Sequence, residues 1–261
     1  MFPVYLLAQD STVVKVTESK PSLDLSKGLP VSFHAGKRDS LRSLLPDRSM
    51  AVIFSGEEKV RSNDVFYPFH QDPNFFYLTG LNEPDALLLL FKEPLSLADD
   101  TVTEILFLPG KSVEYEKWNG KRLGTYGAVS ELKIQKALVN KDFADFDIDF
   151  QYFDEIFYTL PDGTFDDRPG DRGDGASMLK HFFFKTNNLA DRLNNNRLGT
   201  ILSGMRQFKS KEEIALLQKA IDITCLAQNE LMKTIDTSFT ENEAEAVIEY
   251  VFRKSGSEFP G

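Results

Sequence analysis

Three runs of consecutive apolar residues set the tightest limit on what this chain can become: SMAVIFSG (49–56), DALLLLF (85–91) and EILFLP (104–109). Strand side chains alternate between two faces, so a strand that is apolar at every position must be covered on both sides. Their shortness and their bounding Gly, Pro and polar residues favour strands over helices. FDEIFYTL (153–160) reads as a fourth strand. From 33, FHAGKRDSLRSLLPD places Leu41, Leu44 and Leu45 at helical spacing and stops at Pro46. The segment 128–140 reads as a short helix, and the stretch 92–103 as acidic and turn-rich. Strands alternating with helices predict an α/β domain over residues 31–204, with a mixed sheet flanked by helices.

At 205 the pattern changes. Ser210 and Glu213 have capping-box spacing, and Ile214, Leu217, Ile221 and Cys225 follow in steps of three and four, continued by Met232 and Ile235. Thr240 and Glu243 form a second box, opening a helix whose Ala244, Val247, Ile248, Val251 and Phe252 share a face and whose stop suits Gly256. Two such helices cannot cover their own apolar faces, so residues 205–261 are expected to be the truncated start of a second domain. At the other end, residues 1–30 read as an arm. Within it, MFPVYLLAQ is apolar, lacks a basic residue and has Leu6 at the outer cleavage position. It reads as the trimmed tail of an export signal or as an ordinary strand or arm, which leaves cytoplasmic and exported locations both open.

Composition narrows the function by exclusion. Forty acidic against thirty basic residues give a formal charge of −10, the wrong sign for nucleic-acid binding by counterion release. No apolar run approaches the roughly 20 residues that span a bilayer, so neither nucleic acid nor membrane is an expected partner. Cys225, alone in the chain, allows no internal disulfide and, lying in a helical pattern, is expected to be packed and inert. His34, His70 and His181 lie far apart, outside any metal-ligand spacing, and read as surface or packed residues. Neither a phosphate loop, a G-x-G-x-x-G turn nor a G-x-S-x-G elbow occurs. Within TFDDRPGDRGDGAS (164–177), the tripeptide Arg172-Gly173-Asp174 and the spaced Asp residues invite adhesive or calcium readings. The Pro and the missing terminal Glu argue against calcium, and the segment is expected to be a solvated loop.

Two segments concentrate chemistry. RSNDVFYPFHQDPNFFYLTGLNEPDALLLLF (61–91) sets polar groups among rings. Asn82-Glu83-Pro84-Asp85 is a turn, Gly80 is expected to supply an unusual backbone angle, and Asp64 is placed to accept a hydrogen bond from a cation. From its residues alone the segment reads equally as a packing motif or a binding surface. EKWNGKRLG (116–124) carries Trp118, which is expected in a loop and partly exposed, as a hydrophobic plug or a ligand platform.

Those segments carry a resemblance. RSNDVFYPFHQDPNFFYLTGLNEP resembles the signature stretch of the aminopeptidase P N-terminal domain, with its R-S-x-D opening and F-x-Y-L-T-G-x-x-E-P close. EKWNGKRLG resembles that family's W-x-G-x-R-x-G element, and FKSKEEIALLQKAIDIT resembles the F-K-S-x-E-E-I segment that opens its catalytic domain. The likeness runs from about Phe33 to Gly261, leaving out the arm and the DDRPGDRGDG insertion. It implies a creatinase/aminopeptidase P N-terminal α/β domain followed by the first helices of a pita-bread domain. It also implies a full-length Xaa-Pro aminopeptidase that removes the residue preceding a proline at the second position, using two manganese ions. The family's five metal ligands would lie downstream of the position matching Gly261, so the resemblance assigns no metal ligand and no catalytic residue here. It implies that Trp118 and Asp64 reach a neighbouring subunit's active site in a homo-dimer or homo-tetramer, with Arg192 and Arg197 as candidates for an Arg cooperating with Asp64. A non-catalytic peptide- or protein-binding module of the same fold, and a prolidase, are the rival readings.

Overall fold

The structure is a computed structural model that describes residues 28–97, 100–161 and 163–258. The arm expected over residues 1–30 and its possible export signal lie almost wholly outside the described residues. Helix α1 (Val31–Leu44) leads into strand β1 (Ser49–Phe54), followed by a hairpin of β2 (Val60–Ser62) and β3 (Val65–Phe66). Helix α2 (Pro73–Thr79) precedes β4 (Leu87–Leu97) and β5 (Asp100–Leu108). Two short helices, α3 (Val113–Asn119) and α4 (Gly124–Ser130), precede β6 (Lys136–Val139). Then come β7 (Glu155–Thr159), α5 (Gly175–Lys185), β8 (Leu193–Asn194) and α6 (Arg197–Gln207).

The main sheet has the order β6-β5-β4-β1-β7-β8. Only β4 runs against its neighbours: β1 and β7, β5 and β6, and β7 and β8 are parallel pairs. The mixed sheet flanked by helices is therefore present as the sequence predicts. Its strands are buried on both faces, and successive residues serve opposite cores. Ala51, Ile53, Leu88, Leu90, Leu106 and Leu108 pack under α1, α2 and α6. Met50, Val52, Phe54, Leu89, Phe91 and Phe107 pack under α5 and the 3-10 turns that follow β6. This second core is where the phenylalanines gather. Phe91 stacks on Phe153 at 5.8 Å between centroids, and Phe107 meets Phe143 edge-on at 5.1 Å, geometries that add to the area their rings remove from water.

Two expectations from the sequence fail locally. The stretch 92–103 is not a turn region: β4 continues to Leu97 and β5 begins at Asp100, with a register shift between Leu90 and Leu95. β1 pairs only as far as Phe91, so beyond it β4 and β5 form a ribbon that keeps Leu95, Leu97 and Val102 on the second core and turns its polar side chains to the open face. The helix expected over 128–140 also splits. Its first part ends α4, and Lys136–Val139 pairs in parallel with β5 at the edge of the sheet. Four partly covered edge residues carry too little periodicity to show a strand in the sequence.

After α6, which seats Leu198 and Leu202 in the first core, come α7 (Lys211–Thr234) and α8 (Glu241–Lys254). Both capping boxes are formed: Ser210 and Thr240 accept from the N–H groups of Glu213 and Glu243, whose carboxylates reach back to the cap N–H groups. The two helices pack on each other, yet Ile214, Leu217 and Ile221 remain exposed. Cys225 is exposed too, contrary to expectation, because the stripe that carries it is largely uncovered. Among the described residues no helix is long and apolar enough to cross a membrane.

Candidate functional site

The directions of the strands decide where chemistry can gather. β1, β5, β6 and β7 all end at one edge of the sheet, where the reversed β4 begins, so the connecting segments of five strands meet there. The carboxyl ends of parallel strands are where open α/β sheets commonly hold ligands. A cleft of about 480 Å³ lies along this edge. Its walls come from β3 (Phe66), the turn after β5 (Lys111), α3 (Tyr115) and its following loop (Arg122), the end of β6 (Lys141), and the 166–174 segment (Arg168).

Both sequence-predicted site residues belong to elements that line this cleft. Asp64 occupies the exposed turn of the β2–β3 hairpin, next to Asn63, whose φ of 50° turns the chain back. No ion pair reaches its carboxylate among the described residues, so the cationic partner expected for it is not supplied from within them. Trp118 lies on α3, not in a loop, because the Ser112 hydroxyl caps that helix by accepting from the Tyr115 N–H. Trp118 is 90% exposed, more open than the partly exposed side chain the sequence led us to expect. Arg192 and Arg197 lie at the opposite edge, where β7 starts. Arg192 donates to the carbonyls of Gln151 and Phe153, and Arg197 to Glu155. Neither is brought to Asp64.

The signature stretch turns out to do structural work beneath the exposed rim. The Gln71 side chain makes four hydrogen bonds: its Oε1 accepts from the N–H groups of Gly56 and Asp72, and its Nε2 donates to the carbonyls of Leu81 and Glu83. Asp72 caps α2, accepting from the N–H groups of Asn74 and Phe75, and Gly80 closes the helix at φ 70° as expected. Glu83 then reaches across: its Oε1 accepts from the Leu123 N–H at 2.6 Å, tying the end of the EKWNGKRLG element to the signature turn. Burial pushes the Glu83 carboxyl above the usual range, against the opposing pull of that N–H and of Arg122.

Sequence reasoning missed the group that organises the edge. Asp85 is buried and adopts a left-handed φ of 58°. Its carboxylate accepts from Arg168 at 2.6 Å and from the Gly175 N–H at 3.2 Å. Asn140 donates both to the Asp85 carbonyl and to that of Gly173. Asp174, fully buried, accepts from the N–H groups of Arg168 and Ser177 and so caps α5. The DDRPGDRGDG segment is thus pinned to the sheet edge rather than wholly solvated. Burial raises the Asp85 carboxyl, with Arg168 opposing; burial would lower Arg168, but Asp85, Asp171 and Asp174 outweigh it and raise it. A partner 83 residues away leaves no mark in local spacing.

The resemblance implies a manganese pair, but among the described residues no group of three or more His, Cys, Asp or Glu stands close enough to hold a metal ion. These residues do not fit such a pair, and no chemical step can be routed through one here.

An α/β domain with a cleft at the carboxyl edge of a mixed sheet is the class that the fold defines. Residues 34–149 match the sequence family described as "Aminopeptidase P, N-terminal domain", so this part of the chain is similar to an aminopeptidase P N-terminal region. It is 31% identical over 233 residues to the "Xaa-Pro aminopeptidase" of Haemophilus influenzae, covering 89% of this chain and 50% of that protein. Its fold matches the solved structure of aminopeptidase P from E. coli with the inhibitor Pro-Leu, with a TM-score of 0.71 and 26% identity over 88% of this chain and 51% of that one. "Proline aminopeptidase P II" from Yersinia pestis matches with a TM-score of 0.70 and 28% identity over the same shares. The chain spans about half the length of the relatives it matches.

Proposed function

We propose that this chain is the N-terminal region of a Xaa-Pro aminopeptidase and supplies oligomerisation and active-site-access surfaces, not the chemistry. The observation that carries this reading is the rim. Asp64 and Trp118 stand exposed on two elements that line one cleft, while the residues around them are spent on holding those elements still. A side chain as large as Trp118, left 90% exposed on a capped helix, is placed to meet something outside its own domain. On this reading that surface meets the active site of a neighbouring subunit in a homo-dimer or homo-tetramer. It narrows the entrance so that short or unstructured peptides with proline in second place can enter. The two-manganese centre belongs to residues other than those described.

The names borne by its relatives and the arrangement of the fold support this assignment. The test is turnover. The purified chain with manganese added is expected to release no N-terminal residue from an Xaa-Pro tripeptide, whereas a longer protein containing this region releases it. Clear turnover by the chain alone would refute the division of labour. Failure of the longer protein would favour a non-catalytic binding module.

A further inference from the structure

We propose that Glu83 is a positioning residue: through the Leu123 N–H it fixes the segment that carries Trp118. The proposal rests on the reading of Trp118 as a rim residue that serves a neighbouring active site. Helix α3, which bears Trp118, is seven residues long and none of them is buried, so no core of its own holds it in place. Among the described residues, the side-chain hydrogen bonds of 111–122 all stay within that stretch. Ser112 caps the helix and bonds Glu114, Asn119 donates to the Tyr115 carbonyl, and the Arg122 N–H donates to Glu116. The Arg122 guanidinium lies 3.8 Å from the Tyr115 ring centroid, and the Lys111 stem packs on Gly124, so the segment also closes on itself. These contacts give it a shape but do not fix that shape to the domain.

The attachment is at Leu123. Its side chain packs against the first core, and its N–H donates to Glu83 Oε1 at 2.6 Å. A side chain packed on a core can still swivel, whereas a short bond to a carboxylate sets the direction of the backbone. Glu83 is itself held, because its carbonyl accepts from Gln71 Nε2 at 2.7 Å. Its other carboxylate oxygen, Oε2, is buried with no hydrogen-bond partner among the described residues. Lys111 and Arg122 offset part of the charge and Glu116 opposes them. An orphaned buried oxygen is costly, and a position kept for placement can carry a cost that one kept for stability would shed.

Trp118 is the one tryptophan of the chain, so its fluorescence anisotropy reports the motion of this segment directly, well below the melting midpoint of each variant. Glu83→Ala should lower the anisotropy, and Glu83→Gln, which keeps an acceptor for the Leu123 N–H, should restore it. If Glu83→Ala fails to fold, Glu83→Asp, too short by one methylene to reach Leu123, carries the same expectation. Leu189→Ala, in the second core on the other face of the sheet, should lower stability and leave the anisotropy as in wild type. In the longer protein, Glu83→Ala should lower kcat/KM for an Xaa-Pro tripeptide by about threefold or more, as misplacement of a remote group does. It should cause no further loss when added to Trp118→Ala, because it acts through that side chain. Unchanged anisotropy in Glu83→Ala or Glu83→Asp, an equal fall in Leu189→Ala, a fall in Glu83→Gln as large as in Glu83→Ala, or additive kinetic losses would each overturn the proposal. If Trp118→Ala alone costs no activity, the reading of the rim fails instead, and the anisotropy still decides what Glu83 does.

Discussion

Replacing Arg38 with alanine is expected to lower the stability of the chain by about 3–5 kcal/mol, the cost typical of breaking a buried ion pair from one side. Arg38 is 1% exposed on α1. Its Nε donates to Glu104 at 2.7 Å, its Nη1 to the Leu78 carbonyl, and its Nη2 to the carbonyls of Leu132 and Lys133. One side chain therefore ties α1 to β5, to α2 and to the turn before β6. Alanine removes all four bonds and strands the Glu104 carboxylate, itself buried, with only the Gln135 N–H as a hydrogen-bond partner among the described residues. Urea denaturation should show the midpoint fall with an unchanged slope. Changing Arg38→Met and Glu104→Leu together should cost much less, since no charge is then left alone. A double variant as unstable as the single one would mean that the backbone carbonyls, not the ion pair, dominate.

The second large effect is expected at Gly80. Alanine there must hold a left-handed φ of 70°, and its Cβ would lie 2.8 Å from the His34 ring. That ring cannot step aside: its Nδ1 donates to the Tyr77 carbonyl and it sits edge-on to Phe33 and Phe76. Burial holds His34 below its usual pKa, consistent with a neutral ring that donates from Nδ1. Strain and overpacking together predict a loss of about 2–4 kcal/mol. Gly256→Ala is the comparison, because its φ of 88° is also positive but no atom lies within 4 Å of the added Cβ. It should lose only the backbone share, about 1–2 kcal/mol. Equal losses at both positions, read as shifts in melting midpoint, would show that the His34 contact yields.

What the sequence revealed follows from how far each signal reaches along the chain. The strands β1, β4 and β5 were legible because double-sided burial makes every residue apolar, and the caps of α7 and α8 because a box is closed within four residues. The Gly80 angle was legible for the same reason of locality. β6 was not, since its four residues are partly covered at a sheet edge and get their strand character from β5 alone. Nor was the Asp85–Arg168 pair, whose members are joined only by the fold. For the same reason the loop that holds Arg168 was read as solvated. The exposure of Cys225 escaped notice because an apolar stripe announces a need for cover but not whether cover is present. For the candidate site, motif likeness singled out Asp64 and Trp118, while the residues alone left the 61–91 segment undecided between packing and binding. The structure shows the packing role in Gln71 and Glu83 and leaves Asp64 and Trp118 exposed.

The account rests on an exposed rim serving an active site that lies elsewhere. The most direct measurement is the kinetics of Xaa-Pro tripeptide hydrolysis by the longer protein containing this region, compared among wild type, Trp118→Ala and Asp64→Ala. Both side chains are exposed within this chain, so the folded domain should melt at the same temperature in all three. The predicted result is a fall in kcat/KM of about tenfold or more for each variant, roughly 1.4 kcal/mol of lost transition-state stabilisation. Wild-type kcat/KM in both variants, with peptide cleavage otherwise intact, would contradict it.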